Sequence, residues 1–328
     1  MLAVDRSTGL PYVVYGGNYG VGIIAEKFEG SSWQAVGSAF GERPRGLIFS
    51  GNNVPYVCWL GINTTGMASK YNGAGASWES VGAGATTVGV MSMSLAVHSS
   101  GETDTPYIAF AYTNPSVPSQ QILKVNKLDS TNWIGVGGVA GQLDTLLPNI
   151  SVDLKVDSEG VPYIKYTDPQ NGSRVYIKKY ISSMDAWVQL GDLSTGDTGG
   201  SVMQLSNGVP YLAYTGISVS GVGTIEVKKY EGGVWNSLGS PGNSNQGVKL
   251  FVNGSTPYIF FSDSDQEDKP FLKKHNGASW VGVGDRISDY SSIPYSLEIF
   301  AGVPYLTFVY ATYPSYYENT VAVKYVGP

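Results

Sequence analysis

Seven of the eight Pro-Tyr pairs in this chain recur at near-regular intervals, opening at Pro11, Pro55, Pro106, Pro162, Pro210, Pro257 and Pro304, with spacings of 44, 51, 56, 48, 47 and 47 residues. Two residues after each proline stands Val, Ile or Leu: Val13, Val57, Ile108, Ile164, Leu212, Ile259 and Leu306. Four after it comes an aromatic: Tyr15, Trp59, Phe110, Tyr166, Tyr214, Phe261 and Phe308. In a strand these two positions share one face, and the tyrosine of the pair points to the other. Large groups on both faces mark a strand covered on both sides, sheet against sheet.

Each Pro-Tyr strand is preceded by a short apolar strand (MLAV, RGLIFS, SLAV, DLKV, VMQL, KLFV, SLEIF) and followed by a third (IIAEKF, MASKY, ILKVNKL, VYIKKY, IEVKKY, FLKKH, VAVKY). A turn and a fourth segment, W-x-x-[VL]-G, then follow at Trp33, Trp78, Trp133, Trp187, Trp235 and Trp280. Turn pairs such as Asn72-Gly73, Glu231-Gly232 and Asn276-Gly277 suit tight hairpins. Four antiparallel strands per unit of roughly 40–50 residues specify an all-β, seven-bladed β-propeller. The units fall at about 1–38, 39–84, 85–140, 141–192, 193–240, 241–286 and 287–328, and are expected to form a single domain. The last unit has no W-x-x-[VL]-G segment, so 27 strands are expected and one blade should be a strand short. Its open edge, near Val321, Val323 and Tyr325, is a candidate for pairing with another chain.

The pattern G-x-P-Y-hydrophobic-x-aromatic followed by K-Y-x-G-x-x-W-x-x-V-G resembles repeats of secreted or surface-exposed bacterial propeller proteins, kelch-like or lectin-like. The resemblance covers nearly the whole chain. It implies a binding role, since some related propellers bind sugars.

Charge and cysteine content exclude several classes. A net charge of −6 argues against nucleic acid, which calls for a basic stripe. The single cysteine, Cys58, allows no internal disulfide and reads as a small buried hydrophobe. No apolar run approaches the ~20 residues of a spanning helix. Met1 opens directly in a strand, so no signal peptide is expected within this sequence; an extracellular or cell-surface location, which the resemblance implies, is expected with the leader removed.

Function is expected where loops are long: between second and third strands, and between consecutive units. That face should gather Tyr19, Arg43, Arg45, Asp144, Asp168, Asp197, Asp263, Asp265, Arg286, Asp289, Tyr290, Tyr313, Tyr316 and Tyr317. Of these, Tyr19, Arg43, Arg45, Asp168, Arg286, Tyr290, Tyr313, Tyr316 and Tyr317 are the candidate ligand-binding residues. Tyrosine rings can cover apolar sugar faces while planar charged groups take hydroxyls. The bland alternative is surface decoration. The insertion at 136–152 is either a functional loop or a tolerated one. Asp263, Asp265, Glu267 and Asp268 could offer oxygen ligands to Ca²⁺, or form a solvated acidic loop. Lys27, Lys70, Lys127, Lys179, Lys229, Lys274 and Lys324, near the ends of the third strands, read as stems over apolar surface rather than an anion site.

Signs of catalysis are few. His98 and His275 lie in different units, and His275 replaces the tyrosine that ends other third strands. Zinc and serine-hydrolase motifs are absent, and five arginines are few for a sialidase-like centre. The sequence therefore favours a non-catalytic module for carbohydrate or another cell-surface ligand. The alternatives are an adhesion or assembly module pairing through the incomplete blade, and a glycosidase or lyase using two carboxylates.

Overall fold

A computed structural model describes residues 1–17, 21–86, 89–138, 141–146, 148–193, 198–216, 223–312 and 315–325. Two compact units are distinguished, Met1–Gln170 with Tyr176–Gln189, and Asn171–Val175 with Leu190–Pro328. The fold is all-β and of the seven-bladed propeller class, with four blades in the first unit and three in the second.

In the first unit, blade one is β1 (Leu2–Val4), β2 (Pro11–Gly16), β3 (Ile23–Glu29) and β4 (Ser32–Ala35). Blade two is β5 (Arg43–Phe49), β6 (Pro55–Leu60), β7 (Gly66–Asn72) and β8 (Ser77–Ser80). Blade three has β9 (Val90–Ser100), β10 (Thr103–Thr113), β11 (Gln121–Asp129), β12 (Asn132–Gly135) and an added β13 (Gln142–Leu146). Blade four is β14 (Val152–Val156), β15 (Pro162–Asp168), β16 (Arg174–Ile181) and β17 (Ala186–Gln189). In the second unit, blade five is β18 (Thr198–Ser206), β19 (Val209–Gly216), β20 (Thr224–Glu231) and β21 (Val234–Ser237). Blade six is β22 (Val248–Asn253), β23 (Thr256–Asp263), β24 (Lys269–His275) and β25 (Trp280–Gly282). Blade seven has only β26 (Ser292–Phe300), β27 (Val303–Thr312) and β28 (Ser315–Lys324).

The described strands thus number 28 rather than 27, because the 136–152 insertion contains β13. β12 pairs with Asn126–Asp129 of β11, and β13 with Gln121–Lys124 along the same edge. Blade three therefore runs past the expected boundary at 140, and blade four opens at Val152.

Cores form between consecutive blades, as doubly covered strands require. One joins Val14, Ile23 and Val36 of blade one to Val57 of blade two. Others join blades two and three, three and four, five and six, and six and seven. The aromatics four after proline fill them: Phe110, Tyr166, Phe261 and Phe308 are at most 3% exposed. Tyr15 departs from the pattern at 42%, because β2 surfaces at its end and the Tyr15 hydroxyl turns to Glu26, 2.9 Å away. The residue three after each proline is buried throughout: Val14, Cys58, Ala109, Lys165, Ala213, Phe260 and Thr307. Burial pushes the Cys58 thiol up to about 12. The recurring lysines face the Pro-Tyr tyrosines across the sheet, and Lys179, Lys229 and Lys324 set their ammonium groups 5.1, 6.0 and 5.9 Å from the rings of Tyr163, Tyr211 and Tyr305.

The outer strands β4, β8, β12 and β21 are mostly exposed, so apolar burial does little to hold them. Their tryptophans provide the anchor. Indole N–H groups donate to the Val or Leu carbonyl of the preceding W-x-x-[VL]-G motif: Trp78 to Val36 at 2.8 Å, Trp133 to Val81 at 3.1 Å and Trp187 to Val136 at 2.8 Å. The second unit repeats this with Trp235 to Leu190 at 2.6 Å and Trp280 to Leu238 at 2.9 Å. The motif's glycine is required twice over. Gly82 has φ +69°, and a Cβ there would lie 2.8 Å from both Leu128 and Trp133. Trp33 makes no such bond among the described residues and packs edge-on against Phe28.

Two outcomes follow from these contacts. Trp133→Phe strands the Val81 carbonyl and should cost about 1–3 kcal/mol in urea unfolding, whereas Trp33→Phe should cost less than about 0.5 kcal/mol. Asp5 supplies the second. Burial works against its charge, but Ser7 N–H at 2.8 Å and the Ser7 and Thr8 hydroxyls at 2.7 and 2.8 Å hold the carboxyl below its ordinary 3.8. A lowered folded value gives stability that is present above the unfolded value and lost as pH falls through the folded one. Asp5→Asn should therefore lower Tm at neutral pH, with the gap from the parent narrowing in acid. A gap independent of pH would remove the carboxylate charge from the account.

Candidate functional site

Inserted strand β13 sets Asp144 against two neighbours on blade four. The Tyr166 hydroxyl donates to Asp144 Oδ2 at 3.0 Å, and Lys178 Nζ lies 3.6 Å from the same oxygen. Tyr176 stacks on Tyr166 with centroids 5.4 Å apart, and Lys178 sits 5.4 Å from the Tyr166 ring. Burial first, and the Asp144 charge second, push the Tyr166 phenol far above its ordinary value. Every polar group here is engaged by another, so the cluster pins the insertion onto the blades.

A cleft of about 380 Å³ in the first unit is lined by Tyr107, Lys127, Glu159, Tyr180, Ser182 and Asp185 among others. Its tyrosines are committed: Tyr107 donates to the Gly160 carbonyl at 3.2 Å and Tyr180 to Asp185 at 2.7 Å. This cleft lies at the short turns, away from the loops where the sequence directed attention.

The second unit holds a cleft of about 570 Å³ lined by Phe271 and residues Gly284–Asp289. It occupies the connection between β25 and β26, one of the long connections between units. Arg286 Nε and Asp289 Oδ1 meet at 2.5 Å, with side chains 54% and 74% exposed. Ile287 N–H donates to the Pro270 carbonyl at 2.9 Å, fixing this loop against β24. Tyr290 follows, half-exposed and stacked on Tyr310 at 5.0 Å and 12°. Arg286 and Tyr290 were candidate ligand-binding residues and Asp289 was placed on the same face; the three fall on one loop.

The other sequence candidates disperse. Arg43 donates to the Gly61 carbonyl at 3.0 Å, and Arg45 is the extra residue of a β-bulge in β5. Asp168 is only 5% exposed and accepts the Gln170 N–H at 2.9 Å, so it caps a turn instead of facing solvent. Tyr19, Tyr313 and Asp197 lie outside the described residues, as do the side chains of Tyr316 and Tyr317. Bulges recur on β9 and β26, where Met91 and Tyr295 are the extra residues, 59% and 51% exposed.

The acidic run of blade six forms a turn. Asp263 accepts the Asp265 N–H at 3.1 Å, Asp265 accepts from Asn243 at 2.9 Å, and Glu267 pairs with Lys269 at 2.8 Å. Burial raises the Asp263 carboxyl, against the pull of the Asp265 N–H and Lys273. Among the described residues, no three His, Cys, Asp or Glu side chains come together as a metal site needs. His275 packs edge-on against Trp280 at 5.3 Å, where Tyr180 and Tyr230 meet Trp187 and Trp235.

Sequence reasoning missed Lys165, which is 1% exposed with Nζ 3.3 Å from Ser151 Oγ. The signal was present, since six other repeats hold an uncharged residue at that position. Among the described residues, no helix is long and apolar enough to cross a membrane.

No protein-family model and no curated protein sequence matches the chain. Solved structures do. A fungal lectin from Aleuria aurantia, of six-bladed β-propeller fold, aligns with TM-score 0.57 and 14% identity over 85% of this chain and 91% of its own. A Trypanosoma rangeli sialidase mutant displaying trans-sialidase activity aligns at 0.54 and 13% over 99% of this chain and 60% of its own. The β-propeller domain of the Trilobed protease from Pyrococcus furiosus aligns at 0.53 and 10% over 88% and 83%. At these identities the likeness is one of fold.

Proposed function

We propose that this chain is an extracellular carbohydrate-binding module whose contact surface is the 284–290 loop of the second unit. One observation carries the reading: an exposed Arg286–Asp289 pair in a cleft that also presents the Phe271 ring, with half-exposed Tyr290 beside it in sequence. A guanidinium offers only donors and a carboxylate only acceptors, so together they match a hydroxyl pair that both gives and takes hydrogen bonds. The aromatic rings supply apolar area for a sugar face. The Aleuria aurantia lectin, which shares the fold, is described as fucose-specific, and this supports a sugar as the ligand class.

Exposed ion pairs add only about 0–1 kcal/mol to stability. The pair can therefore be altered without endangering the fold, which makes the test clean. On a glycan array, run with calcium and with a chelator, the chain should retain at least one class of glycan. Arg286→Ala and Asp289→Asn should each weaken binding about tenfold or more. Ser182→Ala, in the cleft of the first unit, should leave it unchanged. Absence of any glycan hit, or hits indifferent to both loop substitutions, overturns the assignment. Release of reducing sugar from a bound polysaccharide would move it to an enzyme. A second reading, assembly through blade seven, is favoured by the three-stranded sheet ending at β28.

A further inference from the structure

The cleft of the second unit is unevenly charged. Its lining brings Asp285, Arg286 and Asp289 together beside Phe271. Arg286 Nε is engaged by Asp289 Oδ1 at 2.5 Å, and Asp289 Oδ2 makes no bond among the described residues. Asp285 is exposed and forms no hydrogen bond or ion pair among the described residues, so both of its oxygens are open. A third carboxylate stands nearby. Glu267 pairs with Lys269 at 2.8 Å, and its carboxyl is held low by Lys269 first and by Arg286 at longer range. Three carboxylates against two cations leave this neighbourhood net negative, and the chain's charge of −6 adds a field of the same sign.

A charge pattern of this kind discriminates between sugars. An acidic sugar would seek Arg286, but Asp289 already neutralises that guanidinium, and the incoming carboxylate would meet Asp285 at close range. A neutral sugar brings hydroxyls that both give and take hydrogen bonds, so it has no special use for an open carboxylate. A protonated amine brings donors only. Acceptors are what the cleft has in surplus, namely both oxygens of Asp285 and the second oxygen of Asp289. Bonds between an ammonium and a carboxylate are roughly twice as strong as neutral ones. Phe271 in the lining and half-exposed Tyr290 add aromatic faces, which attract a cation.

We propose that the 284–290 loop selects amino sugars whose amine is free and protonated, with Asp285 as the residue that receives the ammonium. The inference rests on the sugar-binding reading above and adds to it the class of sugar and a specificity-determining residue. Arg286 and Asp289 take hydroxyls, while Asp285 reads the charge. Acetylation of the amine replaces its charged donors with one neutral N–H, and so removes what Asp285 recognises.

The probes are the tetramers of glucosamine, N-acetylglucosamine and galacturonic acid, titrated into the 328-residue chain by calorimetry at one low ionic strength. The glucosamine tetramer should bind about tenfold or more tighter than its acetylated form, and the galacturonic acid tetramer weakest of the three. Asp285→Asn should weaken the glucosamine tetramer about tenfold and leave the acetylated one unchanged. Asp129→Asn removes the same charge from an exposed site in the first unit, and should leave every tetramer unchanged. That control separates recognition in the cleft from general attraction of a cation to an acidic protein. Both aspartates are exposed, so unaltered circular dichroism is expected of both variants. The proposal is overturned if the glucosamine tetramer fails to bind or binds no tighter than either other tetramer. A loss no greater for Asp285→Asn than for Asp129→Asn also overturns it. In either case the sugar-binding reading stands if Arg286→Ala weakens whichever glycan does bind. If no tetramer and no glycan of the array binds, both fall.

Discussion

The interaction on which this architecture depends most is the indole N–H bond from the outer strands of blades two to six to the carbonyl of the motif before each. Outer strands of four residues, largely exposed, bury too little apolar surface to be held by the hydrophobic effect alone. An unmade bond at a part-buried carbonyl costs more than a made one contributes, so removal is punished asymmetrically. The bond also couples neighbours, because each tryptophan reads the position of a backbone atom in another blade. Glycine after Val or Leu serves the same contact. It permits the left-handed turn that ends the strand, and it leaves room for the ring that arrives from the next repeat.

Inside this outer hem, several buried polar groups have a partner built in, whereas Thr307 Oγ1, Ser264 Oγ and Asp268 Oδ1 are buried without one. The Pro-Tyr tyrosines are buried over most of the chain, and their phenols are met by Asp104 from Tyr56 at 3.3 Å or by a backbone carbonyl from Tyr107. Lysine stems from the facing strand lie across the same rings, so the recurring lysines make local cation–π contacts. Asp144 follows the same rule at the insertion. Against that background the Arg286–Asp289 pair differs in kind, being solvent-facing and set in a cleft. Its value to the fold is small, and that separates it from the structural pairs around it.

Much of the fold was legible because the repeat is redundant. Seven Pro-Tyr strands, six W-x-x-[VL]-G segments and the short seventh unit were each readable from residue spacing, and the sheets match them. What escaped was set by contacts between repeats, which one repeat's sequence cannot carry. Tyr15 has the residue type of a filler but surfaces at the end of β2. Asp168 has the type of a ligand contact but is buried as a turn cap. β13 was unreadable because Gln142–Leu146 lacks the alternation of a half-buried strand, and is held by an edge already waiting on β11. Of the proposed site, Arg286 and Tyr290 were legible by type and position. The cleft containing Phe271 was not, since that ring looked like any third-strand filler.

β13 also shows how this chain treats an open edge. Outer strands end early, leaving the far half of each third strand uncovered, and exposed edges of that kind invite unwanted pairing. In blade three β13 covers it. Blade one uses the bridge between Ile23 and Phe40, and blade five the bridge between Thr224 and Asn243. Blade two uses Ala85 N–H to the Gly66 carbonyl, and blade six Ile287 N–H to Pro270. One of these covers, the Ile287 contact, is also what fixes the Arg286–Asp289 loop. The loop proposed to meet a sugar is thus tied to β24 by the same bond that closes the edge beneath it. β28, ten residues long, is uncovered on that side among the described residues.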